Sequence, residues 1–82
     1  MQNENVDLQK AIGQVIRTVR LRKGLKFTLF CYEYGIPTTT LYMLEQGNSN
    51  TRAVNLFNVV QALGLSFAEF GALVDQELSN NV

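Results

Sequence analysis

Arg17, Arg20, Arg22, Lys23 and Lys26, five of the seven basic residues, lie within ten positions of one another. Guanidinium and ammonium groups at this density suit phosphate, because each one that docks on a nucleic-acid backbone displaces a counterion. The plainer reading of such a run is a solvated helix face, and a formal net charge of zero weighs on that side. Most of the acids come after residue 30, with Glu69, Asp75 and Glu77 near the carboxyl end. A folded domain with one basic and one acidic side is therefore expected. Bond-making chemistry is poorly supplied. There is no histidine, Cys31 has no candidate base, and no carboxylate pair, metal-ligand spacing or glycine-rich phosphate loop occurs. Neither an enzyme nor a metal or other cofactor is expected, and Cys31 in its apolar pattern reads as a small core residue.

The element that must position any binding face is Lys26 to Gly47, KFTLFCYEYGIPTTTLYMLEQG. Phe27, Phe30, Cys31 and Tyr34 recur at helical spacing, and Gly35 follows where a helix ends most cheaply in the left-handed conformation. Pro37 cannot continue that helix but suits the first turn of another, from Pro37 or Thr38 to Gln46. This is the pattern of a helix-turn-helix. In the second of these helices Leu41, Leu44 and Glu45 face inward, whereas Thr38, Thr39, Tyr42 and Met43 face outward. The first helix of this pair also carries Leu29 and Tyr32 on its outer side, so it is expected to be covered on more than one side, either by the preceding helix and the tail or by another chain.

Around this pair the spacing predicts three more helices. One runs from about Leu8 to Lys23, capped by Asp7, with Leu8, Ile12, Ile16 and Val19 as its inner stripe and Ala11 and Val15 beside it. Arg20 follows Ile16 by one turn and needs a partner, which the inward Glu45 supplies as a charge-assisted pair. A fourth helix spans about Arg52 or Ala53 to Leu63, with Leu56, Phe57, Val60 and Leu63 toward the core. Ser66 and Glu69 then form a capping box, with Leu65 and Phe70 as its staple, opening a last helix from Phe67 to Leu78. Residues 1–6 and 79–82 are expected as flexible tails around a domain of 7–78.

An 82-residue chain with 46% apolar and 17% charged residues is one small all-α globule, and its single cysteine excludes an internal disulfide. No apolar run approaches membrane-spanning length, and MQNENVDLQK lacks the basic and then apolar regions of a signal peptide. A cytoplasmic location without a membrane partner is the expectation.

In order along the chain, Arg20 with Glu45, Gly24-Leu25, Gly35-Ile36, Leu41 through Leu44-Glu45-x-Gly47, and Ala62-Leu63-Gly64-Leu65-Ser66 with Glu69 resemble the DNA-binding domain of the Cro and phage-repressor (Xre-type) family. The likeness covers residues 8 to 73. It implies a compact five-helix lambda-repressor-like domain with the helix-turn-helix at helices 2 and 3, and a structural role for the Arg20–Glu45 pair. It further implies that helix 3, about 38–46, enters the major groove of double-stranded DNA, with Thr38, Thr39, Tyr42 and Met43 facing bases. Lys26, Thr28, Gln46, Asn48, Asn50 and Arg52 would face phosphate. Lys26 and Phe27 stand where the family usually has a small polar cap and then a glutamine, and only one of Gln46, Asn48, Asn50 and Arg52 is charged, so weaker affinity with a shallow salt dependence is expected.

The function implied is a sequence-specific transcriptional regulator, repressor-like and homodimeric. Phe67, Phe70, Leu73, Val74 and Leu78 are more apolar residues than one inner face requires and are expected at the dimer interface. The alternative is a protein-interaction module that keeps the fold with a weakened or lost DNA face, since Phe27, Leu29, Tyr32, Tyr42 and Met43 add apolar surface on helices 2 and 3.

Overall fold

The computed structural model describes residues 4–47 and 52–80, with residues 4–6 in backbone only. Five helices follow in order, with no strand among the described residues: α1 Glu4–Arg22, α2 Phe27–Tyr34, α3 Thr38–Gln46, α4 Ala53–Ala62 and α5 Phe67–Asn80. The radius of gyration is 12.1 Å, close to the roughly 12 Å of a compact domain of this length. No single helix is long and apolar enough to cross a membrane.

The middle three boundaries agree with the sequence pattern, and the outer two extend past it. α1 begins at Glu4, so Asp7 is not its cap but lies within its first turn, where a carboxylate complements the positive end of the helix dipole. Residues 4–7 are mostly polar and carry no apolar stripe, which is why periodicity alone stops short of them. α5 likewise continues through Ser79 and Asn80.

α1 is the spine, packing most extensively against α3 and α5. Its inner stripe is Ala11, Val15 and Ile16, with Ile12 and Val19 partly buried, whereas Leu8 is exposed. Phe30, Ile16, Leu41, Leu63, Val59 and Val60 are the largest fully buried side chains, each contributing about 1.5–3 kcal/mol of transfer free energy. In α4 the buried face is Val59, Val60 and Leu63 with Leu56 at its margin. Phe57, expected in the core, sits off that stripe and stacks on Phe67 instead, with ring centroids 4.0 Å apart.

α1 and α3 approach until backbone meets backbone. A Cβ on Gly13 would collide with the carbonyl oxygen of Leu44. One on Gly47 would lie 2.8 Å from the Cα of Lys10, and Gly47 also holds a φ of 75°. At the start of α5 the capping box forms as expected: the Ser66 N–H donates to Glu69 Oε1 at 2.8 Å and the Glu69 N–H to Ser66 Oγ at 3.0 Å.

Candidate nucleic-acid interface

Two short helices and the turn between them set the geometry of the candidate face. Gly35 ends α2 with φ 65°, a conformation that costs glycine least. The Ile36 N–H then donates to the Cys31 carbonyl at 2.9 Å, Pro37 precedes the first turn of α3, and the Leu41 N–H reaches the Pro37 carbonyl at 3.1 Å. Ile36 is buried, so the turn is anchored in the core and does not float above it.

The inner side of α3 is fixed by an ion pair. Arg20 Nε donates to Glu45 Oε2 at 2.7 Å and its Nη2 to Oε1 at 3.1 Å, while Nη1 donates to the Leu25 carbonyl at 2.8 Å. The two side chains are 8% and 5% exposed. A desolvated pair of this kind is stable only when the remaining donors are satisfied, which the Leu25 carbonyl does. Phe27 covers the guanidinium from one face, its ring centroid 5.4 Å from the Arg20 carbon. That contact explains an aromatic residue at the start of α2: it is half-buried cover for the ion pair, a cation–π arrangement. No local sequence pattern announces it.

The outer side of α3 makes no such contacts. Thr38, Thr39, Tyr42 and Met43 are all exposed, Tyr42 at 59% and Met43 at 44%. They share one face, as their spacing predicts. Lys26 and Thr28 at the start of α2, Gln46 at the end of α3 and Arg52 at the start of α4 are exposed as well, and neither Lys26 nor Arg52 is in a salt bridge among the described residues. Asn48 and Asn50 lie outside the described residues. The α2, α3 and α4 starts have no side-chain cap, their N-cap positions being Lys26, Pro37 and Arg52. Their first-turn N–H groups therefore remain available to an anion. An open apolar groove of about 380 Å³ runs between α2 and α3, lined by Thr28, Cys31, Tyr32 and the turn.

The five residues of the basic run divide by their contacts. Arg20 is taken up by Glu45. Lys23 turns to α4, where its Nζ donates to the Leu63 carbonyl at 2.6 Å and caps that helix's carboxyl end; it also lies near Glu69. Arg22 lines a groove between α1 and α5 together with Glu77. Arg17, Arg22, Lys23 and Lys26 stay exposed, and only Arg20 is buried. Burial pushes the Cys31 thiol up, with Glu45 adding to the shift, which leaves it protonated at neutral pH.

The five residues expected at a dimer interface separate. Phe70 and Val74 are buried in the chain's own core, and Leu73 and Leu78 pack against it. α1 already covers the apolar side of α5, and only Phe67, 51% exposed, remains outside. Leu29 and Tyr32 on α2 are also exposed, at 55% and 80%, so among the described residues α1 does not cover the outer side of α2.

Comparison with known proteins adds no neighbour: no family model, curated protein or solved structure matches this chain.

Proposed function

We propose that this chain is a sequence-specific DNA-binding regulator of the Cro and phage-repressor kind, a cytoplasmic homodimer that lays α3 in the major groove. The observation that carries the reading is the outward face of α3. Thr38, Thr39, Tyr42 and Met43 are left over by the core on a helix whose inner face is held by the Arg20–Glu45 pair. A rigid helix presenting side chains with no work inside the fold is what base contact requires. Lys26 and Arg52 flank it as phosphate-seeking cations at uncapped helix starts. Within a dimer, Phe67 and the Phe57 stacked on it supply the contact, in place of the buried Phe70 and Val74.

Fluorescence titration against random-sequence duplex DNA at low and moderate salt tests this reading. Binding that weakens as salt rises supports it, and absence of binding at low salt rejects it. The second reading, a protein-interaction module, is favoured by Leu29 and Tyr32, two large exposed side chains that DNA contact by α3 leaves unexplained. It becomes the better account if no duplex binds.

A further inference from the structure

Resting on that DNA-binding reading, we infer that the outward face of α3 reads the C5-methyl groups of thymine, so that its preferred duplex is recognised through apolar contact more than through hydrogen bonds to base edges. The inference comes from what the face holds. Leu41 and Leu44 are buried and Glu45 is locked to Arg20. What α3 shows to solvent is Thr38, Thr39, Tyr42, Met43 and Gln46.

No charged side chain stands among them. Guanine is read best by a fork of donors on O6 and N7, and adenine by an amide on N6 and N7. The only amide here is Gln46, in the last helical position before the left-handed Gly47. A recognition helix brings its amino-terminal residues to the bases, which puts Gln46 at the far end. The first two turns offer two threonine methyls, the Met43 thioether and the Tyr42 ring. The thymine C5-methyl is the one apolar group among the four bases in the major groove, and it is the natural complement of this surface. The threonine hydroxyls add single hydrogen bonds that either donors or acceptors satisfy, so they discriminate little.

Burying one methyl group changes affinity by about fourfold. Two or three such contacts therefore separate a thymine-bearing site from the same site without methyls by roughly tenfold or more. Shape readout of A·T-rich sequence is a different source of the same preference, and the test must separate the two.

A random-sequence duplex pool is first enriched on the full chain, then re-amplified once with thymidine triphosphate and once with deoxyuridine triphosphate. Uracil keeps the Watson–Crick pairing and the minor-groove edge of thymine and lacks only the methyl. The two products are titrated side by side at one low salt concentration. The expected result is at least about tenfold tighter binding of the thymine form. The double variant Thr38→Ser with Thr39→Ser keeps both hydroxyls and removes both protein methyls. Both positions are exposed, so its melting temperature should match the parent. It should narrow the thymine-to-uracil ratio by about fourfold or more. Equal affinity of the parent for both forms overturns the inference and leaves DNA binding standing. A ratio moved neither by this variant nor by Tyr42→Ser with Met43→Ser also overturns it, because the preference then does not come from the outward face of α3. If neither form binds, nor the starting pool, the DNA-binding reading itself falls.

Discussion

The two sides of α3 are built on opposite principles. Its inner side carries Leu41 and Leu44 in the core, Glu45 in a bidentate ion pair, and backbone so close to α1 that only a hydrogen fits at Gly13. Every group there has a partner. Its outer side carries threonines, a tyrosine and a methionine exposed to solvent, beginning at a helix start with no side-chain cap. The same chain builds a complete capping box at α5, whereas the N-cap positions of α2, α3 and α4 hold Lys26, Pro37 and Arg52, which supply no capping oxygen. What the contrast teaches is a division of labour: stability comes from one side of the helix, and the other side stays exposed and contributes little to the fold.

The inner side should give way first. Arg20→Met or Glu45→Leu alone strands the partner's buried charge and is expected to cost about 3–5 kcal/mol, seen as a large fall in melting temperature by circular dichroism. An unchanged melting temperature would mean that the pair is not buried in solution. Next comes Gly13→Ala. Alanine favours a helix by about 1 kcal/mol over glycine, yet here its methyl would meet the Leu44 carbonyl. The clash should win, with a net loss of about 1–3 kcal/mol in urea unfolding; a gain in stability would show that α1 and α3 can separate without cost.

The capped start of α5 supplies a control far from the candidate face. Ser66→Ala removes one of the two reciprocal bonds and should cost about 1 kcal/mol while leaving duplex affinity unaltered. Its partner sets a pH dependence. Glu69 accepts from the Ser66 N–H and is held below the usual carboxylate range by the Ser66 contacts, chiefly the backbone one. A group whose folded pKa is depressed adds stability above its unfolded pKa, and that increment fades as pH falls through the folded value. Acid titration of the melting temperature in the parent and in Glu69→Gln should show the parent's advantage at neutral pH shrinking below the ordinary glutamate range. A constant difference across that range would contradict the assignment. The smallest effect on stability belongs to Lys26→Ser, which places a cap where a cation now opposes the helix dipole. It should stabilise α2 by about 0.5–1 kcal/mol and, if Lys26 meets phosphate, lower the salt slope of DNA binding by about 1.

Local signals made the fold legible. The Gly35 and Gly47 stops, the Ser66–Glu69 box and the apolar periods of α2 and α3 each act within a few residues, and the helices follow them. The inward direction of Arg20 and Glu45 was readable from spacing as well. Non-local contacts were not. Nothing near Lys23 says that it will reach the Leu63 carbonyl forty positions on, and nothing near Phe27 says that it will cover Arg20. Gly13 did leave a trace, since a glycine inside a helical pattern usually has a packing reason. The α5 stripe misled for a related reason: five apolar residues looked excessive for one face, but α1 lies along most of them.

The division of α3 into a holding side and a binding side is tested most directly by a double substitution on the outer side, Tyr42→Ser with Met43→Ser, measured for melting temperature and for low-salt affinity to random-sequence duplex DNA in the same preparation. The account predicts a stability within about 0.5 kcal/mol of the parent, as for exposed positions, together with a loss of affinity of tenfold or more, about 1.4 kcal/mol. Parental affinity in the folded variant would contradict it, because the outer side of α3 would then not be where DNA binds.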